Sequence, residues 1–157
     1  MIEQLRDAEV ESAERTRCPR RGTVLAFDYG EKRLGVAVGE LELSLAHPLE
    51  TIAAADPVRC DAAIARLVRE WGPVMFVVGL PRSMDGRDSE IVRRCEEFAR
   101  KLAAQFALPV EMVDEYLTSQ AARMALEQAG VRGLRQKAMR DQVAAQQILQ
   151  AYFEQKE

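Results

Sequence analysis

The sequence predicts an α/β domain built on a five-stranded mixed sheet, an antiparallel meander followed by two parallel strands, with helices on its faces. Three observations carry that prediction. Two short runs, Val24-Leu25-Ala26-Phe27 and Val74-Met75-Phe76-Val77-Val78, are wholly apolar, as strands buried on both faces are. The apolar period changes from two to helical at Pro57. Beyond that point strands and helices alternate, and such alternation means parallel strands joined by crossover helices.

The first strand, Val24 to Phe27, ends at Asp28-Tyr29-Gly30. After a tight turn, Arg33 to Gly39 alternates around Leu34, Val36 and Val38, which makes a second strand. A third lies within Leu43 to Ile52, interrupted near Pro48. Cys60, Ile64, Leu67, Val68 and Trp71 then fall at helical spacing, and Gly72-Pro73 stops that helix. The strand at 74–78 runs into Gly79-Leu80-Pro81 and a polar loop, Arg82 to Gly86. Ile91, Cys95, Phe98, Leu102 and Phe106 form one stripe of a longer helix. A strand around Val110 to Val113 ends in Asp114-Glu115. Thr118 is suited to cap a helix closed by Gly130, and a basic loop leads to a last helix over 138–153.

A chain of 157 residues, 48% hydrophobic and 30% charged, suffices for one domain. Such a chain buries roughly 69% of its unfolded surface, so it needs no disulfide or metal staple. No uncharged apolar run is long enough to span a membrane. Residues 1–22 carry five acids and five arginines among few large apolar residues, which suits a flexible extension and not a signal peptide. The folded domain is expected over 23–157. Cys18, Cys60 and Cys95 are scattered with no CxxC, which fits free thiols in a reducing cytoplasm. A single histidine, His47, before Pro48 in a strand-like stretch, reads as structural or solvent-facing. Titrating chemistry therefore falls to carboxylates.

Three acidic sites sit on apolar patterns. Asp28 ends the first buried strand, and Asp114 and Glu115 end the last. Ligands of parallel α/β sheets gather at the carboxyl ends of the strands, where these acids converge with the Gly79-Leu80-Pro81 turn. Asp141 lies on the stripe of Ala144, Ala145, Ile148, Leu149 and Tyr152, so it points inward. It is expected near the helix start, where the dipole favours a carboxylate. Each acid also has a plain structural role open to it. Asp28 can accept bonds from the following turn, Asp141 can pair with Lys137, and Glu115 can be a solvated strand end. Taken together, inward and edge acids without a histidine point to a cage for a hard cation, Mg2+ or Mn2+, which takes oxygen ligands and binds substrate phosphates. Two such ions can activate water and stabilise the leaving oxygen of a phosphodiester.

The cations support a phosphate substrate. Arg132, Arg135, Lys137 and Arg140 precede Asp141 with no intervening acid, Arg82 and Arg87 flank the 79–86 loop, and Lys32 and Arg33 follow Asp28. The net charge of −3 argues against a protein coated in positive charge. The sum conceals a separation, however, between an acidic cage and a basic rim.

With those residues in place, the stretch Phe27-Asp28-Tyr29-Gly30-Glu31-Lys32-Arg33-Leu34-Gly35-Val36-Ala37-Val38 resembles the opening motif of the YqgF family, the pre-16S rRNA nucleases long described as Holliday-junction resolvase-like. In the same order follow Pro48-Leu49-Glu50-Thr51-Ile52, Val77-Val78-Gly79-Leu80-Pro81, Met84-Asp85-Gly86, Asp114-Glu115, Leu117-Thr118-Ser119, and Asp141 with Ala144-Ala145 and Ile148-Leu149-Gln150. The likeness covers 23–153. It implies an RNase H-like fold and makes Asp28, Glu115 and Asp141 the catalytic and metal-binding residues, choosing Glu115 over Asp114. It also implies contact with nucleic acid along 80–86 and 130–140. Tyr116 departs from the pattern, because the family usually has arginine there; a tyrosine can stack on a base instead.

The expected activity is Mg2+- or Mn2+-dependent cleavage at the 5′ end of precursor 16S rRNA, on ribosomal precursor particles, by a cytoplasmic monomer or homodimer. Lys32, Arg33, Arg82, Arg135, Lys137 and Arg140 are the expected substrate-binding residues. The competing readings are a resolvase of branched DNA and a non-catalytic RNA-binding or transcription-associated module. A sugar-kinase-like ATP site needs two facing domains, for which the chain is too short.

Overall fold

The computed structural model describes residues 19–80, 89–114 and 134–156, with 134–138 described by their backbone. Three strands open the chain: β1, Thr23–Asp28; β2, Arg33–Glu40; and β3, Leu45–Ala53. Helix α1, Pro57–Trp71, strand β4, Met75–Leu80, helix α2, Ser89–Phe106, and strand β5, Val110–Asp114, follow. Helix α3 spans Leu134–Lys156. The five strands form one sheet in the order β3-β2-β1-β4-β5. β1 pairs antiparallel with β2, and β2 with β3. β4 runs parallel to both β1 and β5, so the carboxyl ends of β1, β4 and β5 share an edge.

Side-chain alternation divides the core between the two faces. Leu25, Phe27, Leu34, Val36, Val38, Phe76 and Val78 pack on one face with Ile64 and Leu67 of α1 and Leu102 of α2. Val24, Ala26, Ala37, Met75, Val77 and Val113 pack on the other with Ala145, Ile148, Leu149 and Phe153 of α3. The central strands are buried on both sides, which is why their sequences are continuously apolar.

Local chemistry sets several boundaries. Asp56 caps α1 by accepting hydrogen bonds from the backbone N–H of Val58 (3.0 Å) and Arg59 (3.4 Å), and Pro57 follows where no donor is needed. Gly72 closes the helix in the left-handed conformation, φ 54°, its N–H bonded to Val68 O. The interruption expected near Pro48 is a one-residue bulge. Val36 faces Glu50 while Ala37 faces Pro48, so Leu49 is the extra residue. Cys60 and Cys95 are buried and outside any disulfide, and burial first, then the charge of Asp61, pushes the Cys60 thiol up.

Two expectations require correction. The last helix begins at Leu134, not 138, and continues to Lys156. Its first turns are a run of strong helix formers, Leu-Arg-Gln-Lys-Ala-Met-Arg, so propensity and not apolar period extends it. Asp141 is thus the eighth residue of the helix, beyond reach of the end dipole invoked for it. Trp71 and Ile91, on the expected helical stripes, are exposed, and each lies within the terminal turn of its helix. The helix expected between Thr118 and Gly130 lies outside the described residues.

Candidate active site

β1 delivers Asp28 to the carboxyl edge of the sheet. Its side chain shares parity with Val24 and Ala26, and so belongs to the α3 face. Directly across the antiparallel ladder stands Gly35 of β2, on the same face. A Cβ at Gly35 would lie 1.9 Å from the Asp141 carbonyl oxygen and 2.4 Å from its carbonyl carbon. Only glycine lets α3 approach this closely, and the approach brings the backbone of Asp141 against the residue that pairs with Asp28. The register of β1 and β2 and the crossing of α3 thereby bring the backbone of Asp141 beside the strand position opposite Asp28.

The helix is steered there by a narrow groove. Gly35, Ala37 and Gly39 alternate along the α3 face of β2, and a Cβ at Gly39 would lie 3.0 Å from both Leu149 and Phe153. Polar ties fix the helix along its axis. Gln146 Nε2 donates to Ala46 O (3.0 Å), and Gln150 Nε2 donates to Ser44 O (3.1 Å) while its Oε1 accepts from Ala46 N (3.3 Å). The opposite face is held by aromatics. Phe98 of α2 meets Phe27 edge-on at 5.7 Å and Tyr29 at 5.0 Å, which anchors the residues on both sides of Asp28.

Asp141 has a partner that local sequence does not reveal. Arg33 Nε donates to Asp141 Oδ2 at 2.7 Å, across 108 residues of chain, and the Asp141 side chain is only 19% exposed. Arg33 opens β2 on the α3 face, two residues before Gly35, which explains the meeting. The close turn from Asp28 to Arg33 needs Gly30, where a Cβ would lie 2.6 Å from Arg33 O. The carboxylate therefore bonds Arg33, while the Lys137 side chain, its expected local partner, is outside the description.

Asp114 ends β5 opposite Leu80. Val113 packs on the α3 face, so alternation directs Asp114 to the α1–α2 face, away from Asp28 and Asp141. Glu115, Tyr116, Arg82, Arg87 and Arg132 lie outside the described residues. Arg135 and Lys137 lie on the first turns of α3, and Lys32 and Arg140 are exposed beside Arg33 and Asp141 in the chain. Among the described residues no group of three His, Cys, Asp or Glu side chains is assembled for a metal, and of the three proposed acids Asp28 and Asp141 are among them. The donors gathered here are carboxylate oxygens, the set that suits a hard divalent cation. The positioning residues Gly35, Gln146 and Gln150 escaped the sequence reading, although the small residues at alternate positions of β2 signal a groove.

Comparison with known proteins shows the family and the fold. Residues 22–155 match the family described as "RuvX: Holliday junction resolvase". A protein of Nitrosospira multiformis, provisionally named a pre-16S rRNA nuclease, is 52% identical over 147 residues, covering 94% of this chain and 97% of that one. One of Methylobacillus flagellatus with the same name is 52% identical over 134 residues, 85% of this chain and 92% of its own. Among solved structures, RuvC of Thermus thermophilus bound to a Holliday junction superposes with a TM-score of 0.57 at 18% identity, over 86% of this chain and 95% of that one. A second structure of the Thermus protein gives 0.53 at 16%. These likenesses, with the strand order above, make the fold RNase H-like.

Proposed function

The chain belongs to the RuvX (YqgF) family, and on that premise we propose that it is a divalent-metal-dependent nuclease that trims the 5′ end of precursor 16S rRNA. The observation that carries the proposal is the contact of the Asp141 backbone with Gly35, the strand partner of Asp28, on the carboxyl edge of an RNase H-like sheet. The names of the relatives supply the substrate class.

In this reading Asp28, Glu115 and Asp141 hold one or two Mg2+ or Mn2+ ions. Support for Glu115 is its place in the sequence, in the Asp114-Glu115 pair where the family resemblance selects it. When bound, the metal supplies an activated water and offsets charge on the phosphodiester. The protein groups bind and orient. Asp28 is fixed by strand pairing, and Asp141 by the helix ties. Lys32, Arg33, Arg82, Arg135, Lys137 and Arg140 form the cationic rim that takes the flanking phosphates. The nuclease domain spans 23–157 and the 1–22 extension lies outside it. The enzyme acts in the cytoplasm on ribosomal precursor particles, as a monomer or homodimer. No helix among the described residues is long and apolar enough to cross a membrane.

The test compares a precursor 16S rRNA 5′ leader with a folded four-way DNA junction, each with Mn2+ or Mg2+. Cleavage of the leader is expected. Changing even an outer partner of a metal site costs about 10–100-fold, so Asp28→Asn or Asp141→Asn is expected to cost about 100-fold or more. Preferential cutting of the junction assigns the chain to DNA resolution instead. Metal-dependent cleavage that survives both substitutions refutes the site.

A further inference from the structure

Arg33 forms an ion pair with Asp141, a predicted metal-binding carboxylate. Its Nε–H lies 2.7 Å from Asp141 Oδ2, while its side chain remains 48% exposed. The contact is thus a charged hydrogen bond at the rim of the site, and the arginine has solvent to move into. Any divalent ion taken by the same carboxylate comes within about 6 Å of that guanidinium. At that separation a unit charge and a divalent ion repel strongly enough to reduce affinity about tenfold even with water-like screening. An arginine that stayed in place would oppose the metal, whereas one that left would lose only an ion pair of modest strength.

We propose that Arg33 is a stand-in for the metal: it neutralises Asp141 in the metal-free protein, and a divalent cation and Arg33 compete for that carboxylate. This rests on the metal-site reading given above. In the metal-free protein the Arg33 guanidinium neutralises the largely buried Asp141 carboxylate. On metal binding the guanidinium leaves Asp141. It begins β2 at the edge of the site, where a freed arginine meets the phosphate backbone of the substrate.

The test is calorimetric titration of the intact protein with Mn2+, without substrate, together with the rise in melting temperature that Mn2+ produces. Arg33→Gln removes the charge and keeps a polar side chain of similar reach, and Arg33→Lys keeps the charge. Competition predicts that Arg33→Gln binds Mn2+ up to about fivefold more tightly, the strength of the ion pair that the metal has to break, and gains more thermal stability from it, with Arg33→Lys close to the parent. An arginine that only positions Asp141 for the metal predicts the reverse, weaker binding in Arg33→Gln, and that result overturns the proposal. Unchanged binding in Arg33→Gln also overturns it. Asp141→Asn, measured alongside, separates the two claims. Lost binding in that variant with no tightening in Arg33→Gln overturns the competition alone, while parental binding in Asp141→Asn removes the metal-site reading and the competition with it.

Discussion

Placing alanine at Gly35 tests whether the close approach of α3 builds the site. The added Cβ would stand 1.9 Å from the Asp141 carbonyl oxygen, and ordinary contact begins near 3.4 Å, so the strand and helix must part by about 1.5 Å. Both neighbours are backbone, and neither can rotate away. Overpacking costs about 1–3 kcal/mol when side chains can yield, so this substitution belongs at or above the upper end, about 3 kcal/mol. For a domain of this size that lowers the melting temperature by about 10 °C. The displacement falls on Asp141 itself, and a shift of about 1 Å in a catalytic group costs about 100-fold in rate. Urea denaturation and metal-dependent cleavage of the leader RNA measure the two effects. Ala37→Gly, at the next small position of the same groove, is the control: it costs about 1 kcal/mol and leaves cleavage near the parent. A Gly35→Ala protein with parental stability and activity would refute the reasoning.

Asp56→Ala removes the side chain that accepts from Val58 and Arg59, and is expected to cost about 1 kcal/mol in denaturant unfolding while leaving cleavage unchanged. Burial raises the Cys60 thiol, so its neutral form is favoured in the folded state. Its contribution to stability is complete below the ordinary thiol range and is lost as pH rises through the folded value. Iodoacetamide labelling of Cys60 in the native protein at pH 8 is therefore slower than in the urea-unfolded chain, and equal rates count against this burial.

The strands were legible because β1 and β4 are buried on both faces and β2 alternates in apolar size. Helix α1 was legible from the change of period at Pro57, its stripe and Gly72, whereas its Asp56 cap was not read. Asp28 stood out as an acid closing a buried strand, and Asp141 as an acid on an apolar stripe. The start of α3 was not legible from period, since its first turns carry high propensity without an apolar stripe. Nor was the Arg33–Asp141 pair, which joins residues 108 apart and exists only once the helix lies in the groove of β2. Alternation settles the face of Asp114 only when the packing of Val113 is known. The choice between Asp114 and Glu115 came from the family resemblance, and Glu115 remains a proposal.

The most direct measurement of the central claim is anomalous diffraction at the manganese edge from crystals soaked in Mn2+. The account predicts a peak about 2.2 Å from carboxylate oxygens of both Asp28 and Asp141, lost in the Asp141→Asn protein. A manganese peak bound elsewhere, with these two carboxylates unliganded, would contradict it.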